Sequence, residues 1–283
     1  MGRTQLRASS VIVSVYRDAV ALQSILYALS EQSTDSFEVV VSEDGHSDEI
    51  QCLIAEQLLI PRDRLLHVTQ EDIGFRKNRA LNNAIRSSRS DHLIFIDGDC
   101  IPSIRFVAAH QALSNGQFVT AGRRLELGPR MSDKLRRNPA TIRKLSSTVG
   151  YLSLIPRILI DRGKNVESGL RSGFLHRWRS RKPSPLLGCN FSCPRRYLEQ
   201  LNGFNEEYEQ PGIGEDTDLQ WRLEQIDVSI TDAKFMANLF HLHHDRAYGL
   251  SPRNVEIFDQ TVRTSAIIAR RGLFNQHPEA ELD

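Results

Sequence analysis

The first hundred residues alternate short, continuously apolar runs with longer stretches in which apolar positions recur every three or four residues. Val11-Ile12-Val13-Ser14-Val15, Phe37-Glu38-Val39-Val40-Val41, Leu65-Leu66-His67-Val68 and Leu93-Ile94-Phe95-Ile96 are of the first kind. Short runs rich in β-branched and aromatic residues predict strands, and apolarity on both faces predicts the middle of a parallel sheet. Residues 19–30, 50–59 and 76–87 carry the helical period, the second stopped by Pro61. The alternation predicts an α/β fold in which a mostly parallel central sheet is flanked by helices.

In such sheets ligands gather at the carboxyl ends of the strands, where the strand order switches. The polar residues at those ends here are Tyr16, Arg17 and Asp18, then Glu43, Asp44 and Ser47, then Asp97, Gly98 and Asp99. Acids leaving a buried strand are costly unless they meet water or a cation, and carboxylate oxygens of this kind suit Mg2+ or Mn2+ beside substrate phosphates. An Asp-Gly turn alone has the plainer reading of a solvated loop. Three successive strands delivering acids to one rim weigh against it.

Beyond residue 120 the pattern changes. Residues 121–182 hold sixteen Lys plus Arg against four acids, a net +12 in a chain whose total is +1. Residues 145–160 have an apolar helical face that Pro156 is expected to interrupt or end. Such asymmetry predicts attraction to an anionic acceptor or an anionic membrane surface through residues 123–182. The aromatic interleaving of a nucleic-acid binder is missing from it. Residues 186–192 read as a further strand and 195–201 as a short helix. Gly212-Ile213-Gly214-Glu215-Asp216-Thr217-Asp218 then opens a helix over 219–225. Helix capping accounts for one acid there, not for three in four positions. His241, His243 and His244 follow the apolar stretch 235–240, again at an element's end, and are metal-ligand candidates. Residues 255–271 read as a closing helix, with fraying after Gly272.

The four cysteines are too few for a disulfide scaffold, and Cys189 and Cys193 read as reduced thiols rather than zinc ligands. No secretory h-region and no run of about 20 apolar residues is visible, so the expected location is cytoplasmic, peripheral at the inner face of the membrane if the basic segment meets lipid.

The motifs, taken in order, are Val39 to Asp48 (Val-Val-Val-Ser-Glu-Asp-Gly-His-Ser-Asp), a basic helix start at Arg76-Lys77-Asn78-Arg79 leading to Ala80 and Asn82, Phe-Ile-Asp-Gly-Asp at 95–99, Gly-Cys-Asn-Phe at 188–191, Asn-Gly-Phe-Asn at 202–205, Glu-Asp-Thr-Asp-Leu at 215–219 and His-Leu-His-His at 241–244. This series resembles family 2 glycosyltransferases of the GT-A fold, and its C-terminal half is similar to a galactosyltransferase-type module. The basic segment has no counterpart in the pattern. The division that follows is a nucleotide-sugar half over 1–120, a basic helical insertion over 121–185, an acceptor and catalytic half over 186–250, and a C-terminal helix and tail over 251–283.

The resemblance implies an inverting, metal-dependent transfer of a hexose or N-acetylhexosamine from a UDP-type donor to a glycan or lipid-linked acceptor. It places Asp99 on Mn2+ or Mg2+, with Asp97 on the ribose or the metal shell and His241 or His244 completing that shell. Asp44 and Glu43 would receive the nucleobase, with Tyr16 and Asp18 beside them, and Arg76 and Arg79 would meet phosphate or base. Asp216 would be the general base, with Glu215, Gly188 and Asn190 at the acceptor. Two other readings compete: a non-catalytic nucleotide-sugar or glycan binder, which has no need of Asp216, and a nucleotidyltransferase, for which a glycine-rich phosphate loop after the first strand is missing.

Overall fold

The computed structural model describes residues 8–179, 184–245, 249 and 251–274. Its centre is a seven-stranded sheet of order β3-β2-β1-β4-β8-β6-β9. The strands are β1 (Ser9–Val15), β2 (Phe37–Glu43), β3 (Leu65–Val68), β4 (His92–Asp97), β6 (Val119–Ala121), β8 (Asn190–Pro194) and β9 (Ile230–Asp232). β1 pairs in parallel with β2 and β4, β2 with β3 and β6 with β9, whereas β8 runs antiparallel to both of its neighbours. A smaller sheet of order β5-β10-β7 is built from β5 (Cys100–Pro102), β7 (Arg123–Glu126) and β10 (Asn238–His241).

The apolar runs are continuous because both faces of the large sheet are covered. Val11, Val13 and Val15 of β1 join Val39 and Val41 in the core under α1 (Ala19–Ser30), whereas Ile12 and Val40 meet Leu81, Ala84 and Ile85 of α3 (Lys77–Ser87) on the other face. The chain runs from β1 outwards to β3 and then returns to place β4 on the far side of β1. The switch point therefore lies between the C-terminal ends of β1 and β4.

Four element expectations need correction. Residues 186–189 are not part of the β8 strand, which starts at Asn190. The helix α2 (Asp48–Glu56) starts on the Ser47 cap and stops well short of Pro61. α7 (Thr148–Ile160) runs straight through Pro156. Pro156 and Leu152 both lie on the exposed side, so water can satisfy the carbonyl that proline leaves without its partner. The closing helix is α11 (Pro252–Arg263), preceded by the Ser251 cap; the chain then leaves the helix at Thr264 and turns back, with the Leu273 side chain buried. The expected fraying falls mostly on residues 275–283, outside the described residues.

The basic segment does not stand apart from the sheets. Its first residues complete β6 and form β7, and only then come α5 (Pro129–Arg137), α6 (Thr141–Ser146), α7 and α8 (Gly173–Arg179). Leu135, Ile142, Leu145, Leu154 and Ile158 bury against the core shared with α1. No helix among the described residues is long and apolar enough to cross a membrane.

Candidate active site

At the end of β4 the chain must turn within two residues to start β5, and Gly98 makes that possible. A Cβ at Gly98 would lie 2.8 Å from the Ser14 carbonyl oxygen and 3.0 Å from the Val15 Cα. The turn is thus pressed against the end of β1, and its two acids diverge. β5 then pairs antiparallel with β10, setting Cys100 opposite His241. That register, with the Leu242 N–H donating to the Asp99 carbonyl oxygen at 2.8 Å, brings the histidines to the second acid. His241 Nε2 and His244 Nε2 lie 3.3 and 3.1 Å from Asp99 Oδ2. Among the described residues these three form the one group of this kind, with ligand atoms all within 4.8 Å of one another. Burial disfavours the Asp99 carboxylate, but the two imidazoles outweigh it and hold its pKa well below the usual range. An oxygen and two imidazole nitrogens converging in this way fit a divalent transition ion, and suit Mn2+ better than the oxygen-preferring Mg2+.

Asp97 turns to the other side. Its Oδ1 accepts from Lys77 Nζ at 2.7 Å, and the same ammonium reaches Glu215 at 2.7 Å. Burial opposes the charge of Lys77, yet the two carboxylates together raise its pKa well above the ordinary value. Glu215 is pushed up to about 7 by burial, with Asp97 and Asp216 adding to the rise and Lys77 pulling against it. A Cβ at Gly188 would come within 2.5 Å of Glu215 Oε1, so glycine alone lets this carboxylate sit where it does. The Gly188 N–H donates to Asp216 Oδ2 at 3.2 Å, and Thr217 N–H to Asp216 Oδ1 at 2.7 Å. Asp216 begins α10 (Asp216–Gln225), and the loop before it is held by buried amides. Asn78 Nδ2 of α3 reaches Gly214 O at 3.3 Å, and Asn254 Nδ2 of α11 reaches Ile213 O at 2.6 Å.

Two cavities meet over these groups. The first, about 570 Å³, is lined by Tyr16, Asp18, Asp44, Asp97, Gly98, Asp99, His241 and His244, joined by Phe75, Lys77, Arg124 and Arg136. The second, about 260 Å³, is lined by Gly188, Glu215 and Asp216, and shares Phe75, Lys77, Asp97 and Arg124 with the first. A two-chambered cleft of this kind can seat two molecules with their reacting ends at the shared wall.

Several expected residues are occupied elsewhere. Glu43 is buried with its carboxylate 2.8 Å from His67 Nε2. Arg79 is exposed on α3, and neither it nor Arg76 lines the two cavities. Arg76 acts through its backbone, whose N–H donates to Asp44 Oδ2 at 2.8 Å. Burial raises the pKa of Asp44, against the hydrogen bonds from Arg76 and Gln70. Asp18 caps α1 and is held at 2.9 Å by Arg136 of α5. Asn190, expected at the acceptor, is fully buried: its Nδ2 donates to the Arg123 and Ala237 carbonyl oxygens and its Oδ1 faces His110 Nε2, which knits β8 to its surroundings.

The third acid of the 215–218 cluster is structural. Asp218 Oδ2 pairs with Arg222 at 2.7 Å, both side chains being 1% exposed, while Tyr208 Oη donates to Asp218 Oδ1. Removing one partner of a buried pair leaves the other charged and unpaired. Asp218→Ala is therefore expected to lower unfolding stability by about 3–5 kcal/mol. Chemical denaturation checks this, and an unchanged midpoint contradicts it.

Sequence reasoning missed Lys77, Phe75, Arg124 and Arg136. A signal for Lys77 was available: it precedes Leu81 by four residues and Ala84 by seven, so it shares the buried face of α3, whereas Arg79 does not.

Comparisons with known proteins give a family and a fold. The family described as "Glycosyl transferase family 2" matches residues 10–161, and "N-terminal domain of galactosyltransferase" matches residues 172–245. The chain is 34% identical over 107 residues to validoxylamine A glucosyltransferase of Streptomyces hygroscopicus subsp. jinggangensis (strain 5008), a stretch covering 36% of this chain and 25% of that relative. The fold is similar to that of the mannosyltransferase PcManGT from Pyrobaculum calidifontis in complex with GDP-Man and Mn2+, at 19% identity and TM-score 0.56, covering 87% of this chain and 59% of the other. It is also similar to S. aureus TarS 1-349 in complex with UDP-GlcNAc, at 15% identity and TM-score 0.60, covering 94% and 68% of the two chains. The central sheet, mostly parallel and flanked by helices, is that of a GT-A glycosyltransferase. The first of these matches spans more than half of the chain, which thus belongs to glycosyl transferase family 2.

Proposed function

We propose that the protein is an inverting, Mn2+-dependent hexosyl- or N-acetylhexosaminyltransferase that uses a nucleotide-sugar donor, UDP-linked by preference, and a glycan or lipid-linked acceptor. The observation that carries the reading is the shared wall of the two cavities, where the Asp99–His241–His244 group lies on one side and Asp216 on the other. A lipid-linked acceptor would be met at an anionic membrane surface, and the protein's place would then be the cytoplasmic face of that membrane.

In this reading the donor occupies the larger cavity. Asp44, buried and with its pKa raised, is suited to accept the imino N–H of a uracil ring. The exposed Tyr16 ring at the cavity wall offers that base a stacking surface. Asp99, His241 and His244 would hold the ion, which supplies Lewis-acid stabilisation of the departing diphosphate. Arg136 and Lys77 add fixed positive charge to the same wall. The acceptor enters the smaller cavity, where Glu215 receives one of its hydroxyls. Asp216 takes the proton from the attacking hydroxyl as its oxygen bonds to the sugar's anomeric carbon. The bond from that carbon to the diphosphate oxygen breaks, and its electron pair leaves with the nucleoside diphosphate.

Thermal shift across a panel of nucleotide sugars and nucleoside diphosphates, each with and without Mn2+, tests the donor class. A ligand at a hundred times its dissociation constant adds about 2.7 kcal/mol, which for a chain of this size means a rise of roughly 4–5 °C. That rise is expected for uridine ligands with Mn2+ and not without it. A guanosine ligand giving the larger shift overturns the uridine assignment, and no shift with any of them counts against the whole reading.

A further inference from the structure

α7 is apolar on both of its sides, and only one is covered by the described residues. Tyr151, Leu154 and Ile158 are buried against the core. On the opposite side Val149, Leu152, Pro156 and Ile160 follow one another at spacings of three, four and four residues, with Leu159 beside them. Their exposure is large: 81% for Val149, 50% for Leu152, 56% for Leu159 and 76% for Ile160. A helix that merely faced water would carry charged residues along that row. A second apolar pair stands out from α8, where Phe174 and Trp178, one helical turn apart, are 73% and 67% exposed. Scattered exposed aliphatics are ordinary, but a row along a whole helix is not.

The charge around this row says what covers it. Residues 121–182 carry a net +12, and among the exposed cations Arg157 lies on α7 itself while Lys144 and Arg162 flank its two ends in the chain. An apolar row flanked by cations is the composition of an interfacial helix: the aliphatic groups enter the boundary between headgroups and acyl chains, and the cations meet anionic lipid. A protein partner of the same shape would have to be both apolar and strongly acidic. We infer that the outer face of α7 seats the protein on an anionic phospholipid bilayer, with Val149, Leu152, Leu159 and Ile160 inserted at the interface. The same basic segment lines the donor cavity through Arg136, so a chain docked in this way carries its cleft on a body held at the lipid surface. This face exists whatever the reaction; the proposed function is needed only to give it a lipid-linked acceptor.

Co-sedimentation with vesicles tests the inference. Vesicles of phosphatidylcholine with phosphatidylglycerol, at roughly 3:1 and about 0.1 M salt, are expected to retain the wild-type chain at least about tenfold better than pure phosphatidylcholine vesicles. Val149→Glu combined with Ile160→Glu is expected to lose binding to the anionic vesicles by about tenfold or more. Arg157→Glu with Lys144→Glu, which leaves the apolar row intact, should weaken it as well. Each variant is checked for its Mn2+-dependent uridine diphosphate thermal shift, which reports on the cleft and not on this face. Equal retention of the Val149/Ile160 variant and wild type overturns the inference. So does failure of wild type to bind anionic vesicles, or a dimer in solution that the same double variant dissociates. Loss of the thermal shift in wild type, with vesicle binding intact, strikes the proposed function and leaves this face standing.

Discussion

Asp216→Asn is expected to lower transfer by about three orders of magnitude while the donor still binds, the scale of losing a positioned proton acceptor. The substitution keeps the shape of the side chain and removes its capacity to take a proton. Thr217 N–H and Gly188 N–H hold the carboxylate at 2.7 and 3.2 Å, so the group is oriented before any acceptor arrives. Asn can keep its oxygen on Thr217 and give up only the longer bond. The melting temperature and the uridine diphosphate shift are thus expected to stay near wild type while turnover collapses. Single-turnover rates with a fixed acceptor check this, and a variant with near-normal rates removes Asp216 from the role of base.

The second large effect is expected at Lys77. Its ammonium is the bridge between Asp97, at the wall the two cavities share, and Glu215, in the smaller cavity, at 2.7 Å from each. Lys77→Met leaves two carboxylates facing one another without their cation. Because positioning errors near 1 Å cost about 100-fold, a fall of that order in kcat/KM is expected even though Met fills much of the space. The pH profile separates positioning from a merely structural role. In the wild type Glu215, with a pKa near 7, loses its charge as pH falls from about 8 to about 6, and transfer should decline over that window. Lys77 pulls this pKa down, so its removal must move the acid limb to higher pH. A variant whose limb stays in place, or shifts to lower pH, contradicts the bridge.

β1, β2 and β4 were readable because each is a mostly apolar run ending in polar residues, the pattern that burial on both faces of a parallel sheet favours. β3 and the first helix fall where the periodicity put them. Asp99 and the histidines were readable as separate candidates, but their convergence rests on the pairing of β5 with β10, a contact 141 positions apart in the chain between Cys100 and His241. Asn190 was placed at the acceptor through the resemblance of its Gly-Cys-Asn-Phe motif, whereas its amide satisfies buried carbonyls, the other use of asparagine in a core. Asp218 was one of three acids left unexplained by capping, because the sequence does not show that Arg222, one turn later, lies under the helix with it. Arg136 had no local signal at all. It is one of sixteen basic residues in its segment, and the burial of Leu135 in the core shared with α1, with the Asp18 pairing, brings it to the larger cavity.

The Asp99–His241–His244 group can be tested without any sugar. Titrating Mn2+ into the protein in the presence of uridine diphosphate, and following free Mn2+ by electron paramagnetic resonance, reads the site directly. One bound ion per chain is expected, lost in both Asp99→Ala and His241→Ala but kept in Asp216→Asn. Binding that survives both of the first two substitutions would contradict this.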